Sequence, residues 1–298
     1  MRVLILAVLV FSSVLSIAQT TNPAAREAFN RGLADADAGR YEQAVAEYSD
    51  ALRIDPTYAA AFNNRGNSYL HLSQYQRALQ DFDEAIRLNP TYVLAYDSRG
   101  YVYQRLGRPE RAIQDYDEAI RLNPKYVRAY SGRGSAYQSL GRPERAIQDY
   151  EEAIRLNPKL ASAYVNRGNA HKDLAQYERA IRDYEQAIRL DPKYANAHNN
   201  LAWLMATASD ARFRDGKKAI ELALKACALS LWKDAGHIDT LAAAYAEAGD
   251  FAEAVKWQEK ALEFPDFVQA REEKMRQRLQ LYRQGKPYYE QSGTAGKV

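Results

Sequence analysis

Cysteine is nearly missing from this 298-residue chain. Cys227 stands alone, so no intramolecular disulfide can form and packing must supply the stability. Within the apolar-rich stretch from Ala219 it reads as a small core residue, with no basic or His neighbour to activate the thiol. An excess of one charge is missing as well. The 41 Lys+Arg face 38 Asp+Glu, and a net charge of +3 supplies no field for nucleic acid or for a membrane surface. Glycine and proline number only 15 and 10, too few for a turn-rich fold; with abundant Ala, Arg, Leu, Glu and Gln this favours an all-helical chain. Phe and Trp are scarce, 8 and 3, against 22 Tyr. Small helical units that each need an aromatic wedge with a polar tip would use tyrosine in this way.

Recognisable chemistry is also absent. His71, His171, His198 and His237 show no metal spacing, and neither a phosphate-cradling glycine loop nor a nucleophile elbow occurs. Acidic residues recur at helix-surface positions, so no catalytic carboxylate pair stands out. These exclusions predict no catalytic residue, no metal and no cofactor, hence a binding module and not an enzyme.

Long hydrophobic runs are confined to the N-terminus. Arg2 precedes the apolar stretch Val3 to Phe11, and Ser16-Ile17-Ala18 stands before Gln19. This pattern predicts a secretory signal over residues 1–18, cleaved after Ala18. The run is well short of the roughly 20 residues a spanning helix needs. The mature chain is therefore expected to be periplasmic or secreted, without stable membrane insertion. The alternative is an inner-membrane anchor through an uncleaved signal. No cysteine stands directly after Ala18, which disfavours a lipid anchor of the bacterial type.

Punctuation reveals the organisation of the rest. Pro56, Pro90, Pro124, Pro158 and Pro192 lie 34 residues apart. Counting each proline as position 32, position 8 is Gly32, Gly66, Gly100, Gly134 and Gly168. Position 20 is Ala44, Ala78, Ala112, Ala146 and Ala180, and position 27 is Ala51, Ala85, Ala119, Ala153 and Ala187. Position 24 is always aromatic: Tyr48, Phe82, Tyr116, Tyr150, Tyr184. A glycine inside a helix costs about 1 kcal/mol relative to alanine, so five at one phase imply a neighbour too close for a side chain. Gly107-Arg108-Pro109 and Gly141-Arg142-Pro143 close one helix and open the next. Asn-Pro or Asp-Pro ends the second helix.

A 34-residue period with these residue types resembles the tetratricopeptide-repeat (TPR) family over roughly residues 25–266. The expected units are 25–58, 59–92, 93–126, 127–160 and 161–194, then a degenerate unit 195–234 with a loop insertion near Ser209 to Gly216, and a last unit 235–266. Leu201-Ala202-Trp203 and Asp239 to Tyr245 resemble closing repeats of bacterial members. Residues 267–285 read as a polar capping helix and 286–298 as a tail, loose from Ser292 on. The resemblance implies an all-α, right-handed superhelical solenoid of about seven repeats, with first helices lining a concave groove and partner binding in place of catalysis.

Specificity is expected on one helix face. The third and fourth units differ only at Asp117/Glu151 between Gly107–Lys125 and Gly141–Lys159. Their first helices differ at Leu94/Arg128, Asp97/Ser131, Ser98/Gly132, Tyr101/Ser135, Val102/Ala136 and Arg105/Ser139. At about 100° per residue these fall on one arc, opposite the packing positions. The same face carries Asn30, Asn64, Asn166 and Asn200, flanked by Asn63, Asn67, Asn169 and Asn199. Amides offer donors and acceptors to an extended peptide backbone. The row resembles the asparagine ladder of O-linked N-acetylglucosamine transferase repeats, interrupted here by Ser98 and Gly132. Asp97, Tyr101, Arg105, Arg128 and Lys172 complete the expected groove, the last four suited to an acidic or aromatic partner. Arg at position 7 and Asp at position 23 are expected to pair structurally. The basic residues of the C-terminal helix, Arg278 among them, form a solvated cap or face an acidic partner. The function expected is a non-catalytic scaffold for a protein or extended peptide. The alternative is an accessory subunit of an envelope assembly, export or polysaccharide-processing enzyme complex.

Overall fold

The computed structural model describes residues 20–264 and 272–290; the expected signal over 1–18 and the tail from 291 lie outside the described residues. Among them the regular elements are fifteen α-helices and one 3-10 turn, Ala211–Phe213. Two compact units divide the chain, one ending at Ser139 and the other beginning at Leu140. The first holds α1 (Pro23–Asp37), α2 (Tyr41–Ile54), α3 (Ala59–His71), α4 (Tyr75–Leu88), α5 (Val93–Arg105), α6 (Pro109–Leu122) and α7 (Val127–Ser139). The second holds α8 (Pro143–Leu156), α9 (Ala161–Asp173), α10 (Tyr177–Leu190), α11 (Ala195–Thr207), α12 (Gly216–Leu229), α13 (Ala235–Glu247), α14 (Phe251–Leu262) and α15 (Glu272–Arg283). The fold is an all-α solenoid of helix-turn-helix repeats.

Local chemistry sets these bounds. Asn22 caps α1 by accepting from the backbone N–H groups of Ala24 and Ala25, with Pro23 in the first turn. Gly107 and Gly141 take the left-handed conformation (φ 68° and 65°) that ends α5 and α7, and the corresponding turns after α3 and α9 force Ser73 and Ala175 into it. The Asx-Pro stops do more than exclude helix before proline. Oδ1 of Asp55, Asn89, Asn123, Asn157 and Asp191 each accepts the backbone N–H two residues on, at 3.0–3.2 Å.

The period-34 residues meet as their types require. A Cβ on Gly32, Gly66, Gly100 or Gly168 would sit 2.6–3.0 Å from the position-24 ring of its own repeat. Those rings, Tyr48, Phe82, Tyr116 and Tyr184, are at most 2% exposed, and the alanines at positions 20 and 27 are fully buried. Arg65, Arg99 and Arg167 pair with Asp81, Asp115 and Asp183 of the second helix at 2.6–2.8 Å. Arg99 and Arg133 also reach back to Asp83 and Asp117 of the preceding repeat at 2.6 Å. The charge ladder thus joins helices within and between repeats.

A longer connection joins α11 to α12 than joins the helices of the preceding repeats. The two helices are separated by the 3-10 turn, and Arg214 fastens the connection by donating to Glu247 (3.1 Å) and to the Ala208 carbonyl (2.8 Å). Gly216 lets α12 approach the end of α13: a Cβ there would lie 2.5 Å from the Ala248 nitrogen. Cys227 is buried, and burial pushes its thiol up to about 12. At the end of α12, Leu231 and Trp232 both have positive φ (54° and 59°), and Leu231 is 71% exposed. Left-handed backbone costs an L-residue roughly 1–2 kcal/mol. Leu231→Gly is therefore expected to raise stability by about 1 kcal/mol, read as a higher urea midpoint at unchanged slope. A lower midpoint would mean that the leucine makes contacts outweighing the strain.

α15 packs on α14 through Met275, Leu279 and Tyr282, the cap expected over 267–285, of which 267–271 lie outside the described residues. One of its basic residues differs from expectation. Arg278 is only 7% exposed and binds Asp239 of α13, so it faces inward instead of toward solvent or an acidic partner.

Candidate functional site

Successive first helices touch one another within each unit: α1 on α3, α3 on α5 and α5 on α7 in the first, α9 on α11 and α11 on α13 in the second. Their second helices pack on the next first helix, α2 on α3 and α4 on α5 for example. Each unit therefore gathers its first helices along one side, and the variable arc of those helices looks onto a cleft.

In the first unit the cleft has a volume of about 560 Å³ and lies between α3, α5 and α7. Asn67, Tyr75, Ser98, Tyr101, Arg105 and Arg128 line it together with Leu70 and His71. Tyr101 is 43% exposed. Arg105 donates to the Tyr75 hydroxyl at 3.2 Å, a bond that holds the Tyr75 phenol below its usual range. No carboxylate among the described residues pairs with Arg105. Arg128 does have one, Asp97 at 3.0 Å, while its side chain stays 71% exposed. The result is a cationic, aromatic cleft floored by one buried acid.

Two expected groove residues lie beneath this surface. Asp97 is 4% exposed and also accepts from the Tyr126 hydroxyl at 3.1 Å, at the end of its own repeat, so with Arg128 it fastens the turn into the next one; burial raises its carboxyl above the usual range against the pull of Arg128. Asn63 is 3% exposed, with its Oδ1 buried and unbonded. The variable arc is narrower than the duplicate comparison implied. Position 10 is core, since Val102 and Ala136 are fully buried. Gly132 at position 6 makes room for Tyr116, whose ring would stand 2.5 Å from a Cβ there and whose hydroxyl donates to Gln104 at 2.7 Å.

The asparagines divide into two sets. Asn30 is exposed, Asn64, Asn67 and Asn166 are half-buried, and none makes a side-chain hydrogen bond among the described residues. Elsewhere in the second unit Asn169, Asn199 and Asn200 bind one another. Asn200 Nδ2 donates to Asn169 Oδ1 at 2.9 Å, which also accepts the Tyr184 hydroxyl at 2.8 Å, and Asn199 leans on Asn200 at 3.4 Å. Here the ladder is partly consumed in holding α9 to α11.

The cleft of the second unit, about 490 Å³, is lined by Asn199, Asn200, Trp203, Asp239, Lys274 and Arg278, and by Tyr288 and Glu290 from beyond α15. Lys172 binds Glu290 with both carboxylate oxygens, at 3.1 and 3.2 Å. Sequence reasoning missed Trp203, Tyr288 and Glu290. Trp203 occupies repeat position 9, the position of Tyr101, so the variable-face pattern already held that hint. Nothing periodic marked the other two. Among the described residues no group of three or more His, Cys, Asp or Glu could hold a metal ion, and no helix is long and apolar enough to cross a membrane.

Comparison with known proteins agrees with this architecture. Family models described as tetratricopeptide repeat match residues 59–92, 98–161, 161–194, 183–221 and 235–264, and one described as TPR repeat matches 32–73. No curated protein matches the sequence. Among solved structures, a tetratricopeptide repeat protein from Parabacteroides merdae is 18% identical, with a TM-score of 0.62 over 88% of this chain and 100% of that one. MamA (41-end) from Desulfovibrio magneticus RS-1 is 20% identical, with a TM-score of 0.54 over 59% of this chain and 99% of that one. Another MamA structure is 26% identical, with a TM-score of 0.50 over 55% and 96% of the two chains. These likenesses concern the fold, and the repeat matches extend over most of residues 32–264. With its buried glycine–aromatic pairs repeating every 34 residues, this chain belongs to the tetratricopeptide-repeat family.

Proposed function

We propose that the protein is a non-catalytic scaffold that binds an extended, acidic or aromatic peptide segment of a partner protein in its first-helix grooves. One observation carries the reading. The cleft of the first unit presents Arg105, without a carboxylate partner among the described residues, beside the exposed Tyr101 and the unbonded amide of Asn67. A guanidinium met only by tyrosine hydroxyls has donors to spare, and Arg and Tyr dominate the energetics of protein interfaces. Asn64 and Asn166 offer further amides to a peptide backbone. Asn30 lies on the first of these helices and extends the same face.

The test is peptide selection on the immobilised chain followed by titration of the selected sequences. Tyr101→Ala with Arg105→Ala is expected to weaken binding by roughly 30-fold, the effect of removing one interface hot spot. Arg87→Ala, on the exposed side of a second helix, serves as control. Equal affinity of the double variant and the control would refute the groove reading. The segment Arg2–Ala18 supports placement of this scaffold outside the cytoplasm, in the periplasm or secreted. Mass spectrometry of the exported fraction should find an N-terminus at Gln19; an intact Met1 would favour the anchored form.

A further inference from the structure

We propose that the groove of the second unit reads a glutamate placed two residues after an aromatic side chain, that the chain's own Tyr288–Glu290 segment fills it, and that a partner peptide of the same chemistry binds by displacing that segment. The inference rests on the groove-binding reading above and names the ligand class and regulation of the second groove.

The chain reaches the groove by a turn. Gly285 takes positive φ (68°) after α15, and the Lys286 N–H returns to the Leu281 carbonyl at 3.0 Å. From there residues 286–290 run without helix across α9 and α11. Their side chains alternate as in any extended chain. Tyr288 turns toward Trp203, with ring centroids 6.2 Å apart, and the Arg278 guanidinium lies 5.4 and 5.5 Å from the two rings. Tyr289 turns the other way, onto Arg214. Glu290 turns back into the groove.

The contacts of Glu290 are those of a recognised ligand group. One carboxylate oxygen accepts from the Trp203 indole at 2.7 Å and from Lys172 at 3.1 Å, and the other from Lys172 at 3.2 Å. Its backbone N–H donates to the Thr207 carbonyl at 2.8 Å, a group that the end of α11 leaves without a helical partner. Lys172, Trp203 and Thr207 lie on repeat helices and Glu290 outside them, so the groove supplies every receptor atom. An indole N–H can only donate, and an ammonium has only donors, so this pair selects an acceptor that is preferably anionic.

Charge shows what the groove wants when it is open. Without Glu290 it retains Lys172, Lys274 and Arg278 against the single acid Asp239. Glu290 cancels one charge of that surplus, yet the resident segment holds only by one backbone bond, one carboxylate and the rings of Tyr288 and Tyr289. The Lys172 and Glu290 side chains remain 21% and 29% exposed, so water can compete for the pair. Tethering keeps such a weak segment in place by high local concentration, and a free peptide sees an affinity reduced by the fraction of grooves that are closed.

The probe is a fluorescein-labelled peptide of the chain's own sequence, residues 286–291, titrated by anisotropy against the full chain. The unaltered chain is expected to bind it weakly, and Tyr288→Ser with Glu290→Ser at least roughly 10-fold more tightly. Lys172→Glu added to the opened chain should abolish the gain, as should a probe carrying Gln in place of its glutamate. If the double variant loses helicity by circular dichroism, Glu290→Gln alone keeps the shape and must shift affinity in the same direction. Equal binding by closed and opened chains, or a gain that survives both Lys172→Glu and the Gln probe, overturns the proposal. Binding that depends on Tyr101 and Arg105 is read on the first unit, so either result can fail while the other stands.

Discussion

Replacing Arg278 by methionine is expected to destabilise the second unit by about 3–5 kcal/mol, the cost of stranding a buried charge. Its guanidinium and the Asp239 carboxylate have side chains only 8% and 9% exposed. Nη2 donates to the two oxygens at 2.9 and 2.7 Å, and Nε donates to Oδ1 at 3.2 Å. Gln258, fully buried, donates a fourth bond at 2.7 Å. Methionine fills much of the arginine stem but leaves Asp239 with the amide of Gln258 alone. Urea unfolding followed by circular dichroism gives the number, and a loss below about 1 kcal/mol would mean that water reaches the vacated site. The informative companion is Arg278→Met with Asp239→Leu. Removing both charges together is expected to recover most of the loss, because the desolvation penalty disappears with the attraction. α15 should then remain docked on α14, protected from limited proteolysis; in the single variant it should be cut.

Tyr184→Ala is expected to cost about 3–5 kcal/mol, as for other large aromatics removed from a core. The ring is completely buried and its edge lies against Gly168, where a Cβ would stand 2.7 Å away. The variant leaves a cavity between α9 and α10 that the flanking alanines Ala180 and Ala187 are too small to fill. Tyr184→Phe separates packing from hydrogen bonding. It keeps the ring, as Phe82 does at the same repeat position, and removes only the hydroxyl bound to Asn169 at 2.8 Å. About 1 kcal/mol is expected, since Asn200 still serves Asn169. Gly168→Ala tests the other side of the contact. Helix propensity favours alanine by about 1 kcal/mol, but the ring must move by several tenths of an ångström, and overpacking typically costs 1–3 kcal/mol. The clash is expected to win, so this variant should unfold at lower urea than the unaltered chain. A rise in its midpoint would show that the ring relocates freely.

Much of the fold was legible because a repeat presents the same local problem many times. Pro56 alone says little; its recurrence through Pro192 with Gly, Ala and aromatic residues in fixed phase identifies helix ends, buried faces and the glycine–aromatic contact together. The arginine–aspartate ladder was legible for the same reason. Legibility faded where one side chain serves its neighbours differently from its counterparts. Val102 differs from Ala136 because each fits its own core, and Gly132 is a glycine for the sake of the Tyr116 ring, so two of the six differences between duplicated helices concern packing. Asp97 is similarly withdrawn, into contacts with Tyr126 at the end of its own repeat and with Arg128 of the following one. On the exposed arc, Tyr101, Arg105 and Arg128 line one cleft.

The sequence by itself determined the helices, their pairing and the face that carries variation, since each depends on contacts within one period of chain or between neighbouring periods. Tertiary structure alone decided how the array is closed. Arg278 meets Asp239 across 39 residues, Trp203 meets Glu290 across 87, and Lys172 meets Glu290 across 118. None of these separations is a multiple of the repeat, and each partner occurs once, so no pattern in the chain could announce them. They exist because α15 and the segment after it lie on the last described repeats, and whichever side chains the turn at Gly285 delivers there are the ones that bind.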